Sequence, residues 1–354
     1  MREPQRGVGA EAHGAPGERA DARLPVARRA RRDRGRPVGG PLPPALAPAG
    51  AELIIGAGSG RVAVTGASGL LGSKLAFRLA AEGAPQRLVV RDAARAPSLG
   101  DDPLPESDVA VVAGYTDTRG MVEAFTGVDT VLLVSAREDV DRVAQHRAAV
   151  DAAVAAGVHR IVYVSFVGAA PDAVFTFARD HWRTEEYIRA TGVRHTFLRD
   201  NLYHRGLALM VGDDGVIRGP AGDGRVASVS HDDIADVATV VLLDADAHRH
   251  DGVTYDVTGP EALTLAEVAA ELSSATGREI TYHPETVDEA YASRDRYGAP
   301  RFEVDGWVSS YTAIAAGELA HVSDTVPRLV ERPAQSFAAW LDDYPEEWAH
   351  LRPA

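Results

Sequence analysis

A short apolar strand that runs through three glycines into an amphipathic helix constrains this chain more than any other feature. The stretch is Arg61-Val-Ala-Val-Thr-Gly-Ala-Ser-Gly-Leu-Leu-Gly-Ser-Lys-Leu-Ala-Phe-Arg-Leu-Ala80. Gly66 permits a sharp turn at the strand's end, Gly69 lets backbone approach a pyrophosphate, and Gly72 lets the helix lie close against a sheet. Together with Ala67, Ser68, Leu70 and Leu71, these glycines would offer free N–H groups and the positive end of a helix dipole to phosphate. Glycines also mark ordinary turns, so the strand before and the helix after decide in favour of a dinucleotide cradle. The upstream run Glu52-Leu-Ile-Ile-Gly-Ala-Gly-Ser-Gly60 is rejected as a second cradle. It leads directly into the strand Arg61–Thr65, and a strand supplies no helix N-terminus to hold a phosphate.

From Arg61 onward apolar strands alternate with helical patterns, which predicts an α/β fold of the Rossmann type with a doubly wound parallel sheet. Strands are expected near 61–65, 87–91, 108–112, 129–134, 158–164 and 193–198, with helices at 70–82, about 118–126, 139–156 and about 179–191. The uninterrupted apolar runs Val131-Leu-Leu-Val134 and Ile161-Val-Tyr-Val164 suit central strands covered on both faces. Beyond residue 200 the pattern changes to a glycine-rich loop segment at about 201–230, and then His231-Asp-Asp opens a helix. Strand-like Val253–Val257 and Glu279–His283 flank a helix at about 264–276, where Thr264 and Glu267 spell a capping box. These pieces are expected to build a smaller α/β subdomain over the carboxyl edge of the sheet, where a substrate pocket belongs. The division expected is a nucleotide-binding domain over 61–258 and a substrate-side subdomain over 259–354.

Residues 1–60 stand apart. They are rich in Arg, Pro, Gly and Ala, with the run Arg28-Arg-Ala-Arg-Arg-Asp-Arg-Gly-Arg36, and hold too little apolar surface to offset ordering entropy, so a disordered extension is expected. No apolar segment of a secretory signal is present there. The net charge of −14 argues against a nucleic-acid partner, and the absence of cysteine excludes disulfides and thiolate chemistry. No apolar run reaches the roughly 18 residues of a membrane span, so a cytoplasmic location is the expectation. His248 and His250 sit in an acidic linker without a helical ligand pair, and no metal is expected.

Cofactor choice turns on the end of the second strand, Arg87-Leu-Val-Val-Arg91, followed by Asp92. An acidic side chain there would bind the ribose 2′-hydroxyl of NAD, whereas an arginine gives a 2′-phosphate a planar cationic partner. Side chains alternate along a strand, so Arg91 and Asp92 cannot both point at the ribose. NADP(H) is preferred over NAD(H) on the strength of Arg91. Lys74 is the only lysine in the chain. A Tyr-x-x-x-Lys proton-transfer pair, a Schiff-base lysine and a Walker A loop are therefore all ruled out.

The spacing Gly66-x-x-Gly69-x-x-Gly72, with Val90-Arg-Asp92, Gly114-Tyr-Thr-Asp117, Gly127-Val-Asp-Thr-Val-Leu-Leu-Val-Ser135, Gln145-His146, Ala156-Gly-Val-His-Arg-Ile-Val-Tyr-Val-Ser165 and Phe197-Leu-Arg-Asp-Asn-Leu-Tyr203, resembles the NmrA-like atypical short-chain dehydrogenases, in particular their bacterial NADPH:quinone oxidoreductases. By that resemblance Gly66–Gly72 would bind the pyrophosphate and Arg91 the 2′-phosphate. Asp117 would lie near the adenine, Ser135 near the nicotinamide-side ribose, and Asn201 and Tyr203 in the segment that approaches the nicotinamide. Where the usual tyrosine and lysine would sit the chain has Asp180-His-Trp-Arg-Thr-Glu185.

A quinone takes hydride at a low barrier, so a small-molecule quinone held against the nicotinamide is the expected substrate, with a homodimer as candidate assembly. Phe166, Phe175, Phe177, Trp182 and Tyr203 are candidate pocket walls, each with core packing as the competing role. His181 reads either as a proton donor or as a surface histidine at a helix start, and Tyr203 is the other candidate for catalysis. Two other functions remain open at this point: a redox-sensing regulator that binds NADP without turnover, and an epimerase or isoflavone-reductase-like enzyme.

Overall fold

The computed structural model describes residues 60–352. The expected disorder of the N-terminal extension and the rejected glycines at 56 and 58 lie outside the described residues. From Gly60 the chain forms β1 (Val62–Thr65), α1 (Leu70–Ala81), β2 (Gln86–Val90), a small hairpin of β3 (Ser98–Leu99) and β4 (Asp102–Pro103), β5 (Ser107–Val111), α2 (Thr118–Phe125), β6 (Thr130–Leu133), α3 (Arg142–Ala155), β7 (Arg160–Phe166), α4 (Thr176–Thr191) and β8 (Arg194–Asp200). Then come α5 (His204–Leu209), β9 (Val216–Gly219), β10 (Arg225–Val226), α6 (His231–Leu243) and β11 (Thr254–Val257). The chain closes with β12 (Leu263–Thr264), α7 (Leu265–Thr276), β13 (Thr281–Pro284), α8 (Val287–Arg294), α9 (Arg301–Ala315), α10 (Thr325–Val330) and α11 (Phe337–Asp343).

Seven strands form one parallel sheet in the order β11-β8-β7-β6-β1-β2-β5. Because side chains alternate along a strand, each strand feeds two cores. Val62, Val64, Leu88 and Leu132 pack with Leu71, Leu75 and Leu79 of α1 and with Ile234, Val237 and Val241 of α6. Ala63, Val131, Leu133, Tyr163 and Phe197 meet α2, α3 and α4 on the opposite face. Burial on both sides explains why these strands read as unbroken apolar runs. Lys74 and Arg78 of α1 bind Asp232 of α6, each at 2.8 Å, and Arg78 also binds Asp236.

A third core joins Phe166, Phe175 and Phe177 to Ile217, to Leu265, Val268 and Leu272 of α7, and to Tyr311, Trp340 and Leu341. Here β9 pairs with β13 in parallel and β10 with β12 antiparallel, and the capping box of Thr264 and Glu267 is formed. One expectation is corrected. Val253–Val257 does not join the pieces around the 264–276 helix: inside the 61–258 span, it extends the main sheet as β11 beside β8, with Tyr255 and Val257 buried under α6 and α10. The glycine-rich segment after residue 200 likewise contains a strand, β9, whose Gly219 lies so close to Tyr311 that a Cβ there would come within 2.2 Å of the ring.

Candidate active site

Strand order places β1 between β2 and β6, so the chain leaves β1 toward one side of the sheet and reaches β6 on the other. In open α/β sheets that reversal opens a crevice at the carboxyl ends of the strands. The glycine turn sits on it. Gly66 has φ +60°, and a Cβ on Gly72 would stand 2.4 Å from the Gly66 carbonyl oxygen, so α1 could not start where it does with any other residue. Gly69 is the N-cap and no side chain caps α1, which leaves its first N–H groups for a ligand. A turn this close, exposed at Gly66, Gly69 and Leu70, fits a pyrophosphate.

Tyr115 closes the floor of the crevice. Its hydroxyl lies 2.8 Å from Thr65 Oγ1 and 2.5 Å from the Val134 carbonyl oxygen, bridging the ends of β1 and β6. Burial pushes its pKa up to about 12, against a smaller opposing pull from the Arg91 guanidinium nearby. Arg91 itself is exposed just past β2. Asp92 is exposed next to it, and its Oδ1 accepts from Ala94 N at 3.0 Å and caps the short helical turn of residues 93–95. Asp117 is similarly committed. It accepts from Ala113 N and Gly120 N, both at 3.0 Å, and these two N–H groups hold its carboxyl below the usual range. Asp117 thus shapes the loop carrying Tyr115. Ser135 is half-buried next to Val134.

On the α3 and α4 face the end of β7 carries a buried polar network. His181 is the largest departure from expectation, being 4% exposed and part of the inner face of α4, which begins at Thr176, earlier than the pattern suggested. Arg142 Nη2 donates to His181 Nε2 at 3.1 Å, so the proton of the neutral imidazole sits on Nδ1 and points at the Tyr163 hydroxyl, 2.9 Å away. Burial first, then Arg142, holds His181 well below the ordinary histidine range. At neutral pH it carries no imidazolium proton to give. His146 accepts from Ala136 N at 2.8 Å through Nε2 and meets Thr184 Oγ1 at 2.8 Å through Nδ1, and burial lowers its pKa to about 3.

Glu185, one turn after His181, is fully buried. Arg199 grips it through two hydrogen bonds of 2.8 and 2.7 Å, and Ser165 donates to it at 2.6 Å. His181 and Glu185, four residues apart on α4, are thus a neutral imidazole and a carboxylate paired with Arg199.

Past β8, Asn201 is buried and spans to the last third of the chain, donating from Nδ2 to the Leu319 carbonyl at 3.0 Å while Oδ1 accepts from Leu202 N. Tyr203 is half-buried, with its ring 4.2 Å from that of His231 and its hydroxyl 2.6 Å from Asp200 Oδ2. Asp200, 2% exposed, is not singled out by the sequence, because an acidic residue at a strand end is unremarkable until its burial is known. Phe166, Phe175 and Phe177 pack edge to face at 5.0 and 5.6 Å in the third core, and Trp182 is half-buried. His250 uses both ring nitrogens, on Asp244 and Tyr255, and among the described residues no three His, Cys, Asp or Glu side chains group to hold a metal. Nor does any described helix have the length and apolarity to cross a membrane.

Sheet, glycine turn and crevice define an NAD(P)-binding protein of the Rossmann class. The NmrA-like family model matches residues 58–293, and the chain belongs to that family. It is 33% identical over 281 residues to an NAD(P)H azoreductase of Xenophilus azovorans, covering 78% of this chain and 95% of the relative. Quinone oxidoreductase 2 of Escherichia coli is 31% identical over 282 residues, covering 78% of this chain and 96% of its own. The crystal structure of that enzyme with NADPH superimposes with a TM-score of 0.71 over 80% of this chain and 99% of the other. A triphenylmethane reductase of Citrobacter in complex with NADP(H) gives 0.67 at 28% identity, covering 80% and 99%. The chain is an oxidoreductase of this family.

Proposed function

We propose that the chain transfers hydride from NADPH to a quinone or a similarly electron-poor acceptor, without a Tyr-x-x-x-Lys pair. The observation that carries this reading is the state of His181 and Glu185. A ketone needs a proton supplied as hydride arrives, and at these two positions the imidazole is held neutral by burial and by Arg142 while the carboxylate is locked by Arg199 and Ser165. A quinone depends less on a proton delivered in step with hydride, because its ring delocalises the charge, so holding it in register with the cofactor supplies much of what is needed and protonation can come from a group elsewhere in the site. The azoreductase and quinone reductase likenesses agree, since both acceptors are electron-poor.

NADPH, when bound, supplies the hydride. Gly66, Gly69 and Gly72 would receive its pyrophosphate on the α1 N-terminus, and Tyr115 would brace the crevice floor. Arg91 would take the 2′-phosphate, a choice supported by the use of Asp92 Oδ1 in capping Ala94. Ser135 would lie along the nicotinamide-side ribose. Asn201 would act at one remove, fixing the start of the segment that carries Tyr203.

The test is anaerobic steady-state oxidation of NADPH and NADH by the purified chain with and without a benzoquinone or naphthoquinone. Quinone-dependent oxidation that favours NADPH and is lost in Gly72→Trp is expected. Tight NADPH binding with no turnover across a panel of quinones would overturn the reading.

A further inference from the structure

On the α3 and α4 face His146, His181 and Glu185 each have their hydrogen-bond partners within the protein, which leaves open what protonates the acceptor once it is reduced. Two groups on the other side of the β8 end stand in a different state. Tyr203 lies three residues past the end of β8 and belongs to the apolar cluster that also contains Ala67 and Leu71 of the cofactor turn and Val134 at the crevice. Its hydroxyl is 2.6 Å from Oδ2 of Asp200, and that carboxyl is almost wholly removed from solvent with no cation in hydrogen-bond contact. His231 lies against the Tyr203 ring, with centroids 4.2 Å apart.

We propose, resting on the hydride-transfer reading above, that Tyr203 and Asp200 form a two-member proton relay serving the reduced acceptor. The acceptor takes hydride from the reduced nicotinamide: the C4–H bond breaks, a new bond to the acceptor forms, the cofactor is oxidised, and one heteroatom of the acceptor is left negative. Tyr203 gives its hydroxyl proton to that heteroatom. The Asp200 carboxylic acid passes its own proton to Tyr203 Oη, and the carboxylate left behind is reprotonated from water.

The pair works as a relay because the protonation state of Asp200 sets which way the tyrosine proton points. An ionised carboxylate can only accept, so it claims the Tyr203 proton; a protonated one donates to Oη and frees that proton for the acceptor. Burial raises Asp200 to about 7, so the donating arrangement exists up to neutrality. The groups facing Asp200 are few. Tyr203 donates to it and lowers its pKa, Arg142 of α3 and its own backbone N–H do the same more weakly, and Tyr163 of β7 is a neutral neighbour that burial keeps protonated. His231, behind Tyr203, is lowered by burial to about 4 and is uncharged at neutral pH.

The experiment compares the full chain with Asp200→Asn and Tyr203→Phe, measuring NADPH binding by fluorescence, kcat with a naphthoquinone from pH 5.5 to 9, and the protonated-carboxyl stretch by infrared difference spectroscopy. Unchanged NADPH affinity in both variants shows that they fold. The relay predicts a wild-type kcat that falls above about pH 7. It predicts a loss of roughly 100-fold in each variant, the usual worth of a positioned general acid, with a flat pH profile and a double variant no worse than either single one. Variants that retain the wild-type rate and profile would overturn it. If the wild-type chain binds NADPH yet reduces no quinone, the functional reading fails, and the infrared arm still decides the pair. A carboxyl band that persists at pH 6, vanishes in Asp200→Asn and moves in Tyr203→Phe supports it, whereas no such band in the wild type refutes it.

Discussion

Arg142 of α3 and His181 of α4 are joined by a 3.1 Å contact between Nη2 and Nε2 that fixes the tautomer of a buried histidine. The same guanidinium binds the Ala136 carbonyl through Nε at 2.9 Å, so one side chain ties the loop after β6 to the helix beyond β7. Its Nη1 is buried without a partner, and Phe177 lies 5.8 Å from the guanidinium carbon.

Truncating Arg142 should therefore hurt the fold as well as the site. Arg142→Met leaves the Ala136 carbonyl and the His181 Nε2 buried and unpaired, and the expected loss is about 2–4 kcal/mol in urea unfolding. It also removes the positive charge that helps to lower His181. The histidine should then titrate at higher pH by NMR, and an unchanged titration would show that burial alone sets it.

Gly72→Ala brings a methyl group to 2.4 Å from the Gly66 carbonyl oxygen, where backbone must move. The turn would open and the α1 N-terminus would shift away from the pyrophosphate. NADPH affinity should fall at least tenfold, about 1.4 kcal/mol, in a fluorescence titration. Gly69→Ala, whose added carbon would meet the same oxygen at 3.2 Å, should cost less.

Arg91→Ala is expected to weaken NADPH by about 10- to 100-fold, the range of a charge-assisted contact of about 1.5–3 kcal/mol, and to leave NADH unaffected. Equal losses for both cofactors, read by isothermal titration, would place Arg91 away from the 2′-phosphate.

Asp200 also makes a prediction about stability. Its native pKa, raised to about 7, exceeds the unfolded value of 3.8, so the native state holds a proton that the unfolded chain releases. That contribution is complete below about pH 4 and disappears as pH rises through 7. Relative to Asp200→Asn, the wild type should lose about 2–4 kcal/mol of unfolding free energy between pH 4 and 8. Buried His146, His204 and His231 have the opposite sign, because burial lowers them to about 3, 4 and 4. Their contribution is present above about 6.5 and is lost on acidification, so urea midpoints should decline again below pH 6.

Much of the fold is legible in the sequence where the signal is local. The glycine spacing, the alternation of apolar strands with helices and the Thr264–Glu267 capping box each act within a few residues, and each stands in the structure at its expected place. The polar network is not legible, because it depends on burial from several elements at once. His181 reads as a helix-start histidine until α4 is seen to begin at Thr176 and turn that face inward. Asp200 gains its raised pKa from the desolvation of a whole strand end, and Asn201 finds Leu319 across 118 positions of sequence. The strand near 279–283 is legible, but the antiparallel pairing of β10 with β12 and the parallel pairing of β9 with β13 are not, because each joins short strands far apart in the sequence.

Single-turnover mixing goes straight to hydride transfer. The chain would be preloaded with one equivalent of NADPH, either protiated or deuterated at the transferring position of C4, and mixed anaerobically with a naphthoquinone. Loss of the reduced-nicotinamide absorbance only when quinone is present, and more slowly with the deuterated cofactor, is the predicted result. Bound NADPH that persists unchanged against every quinone would contradict it.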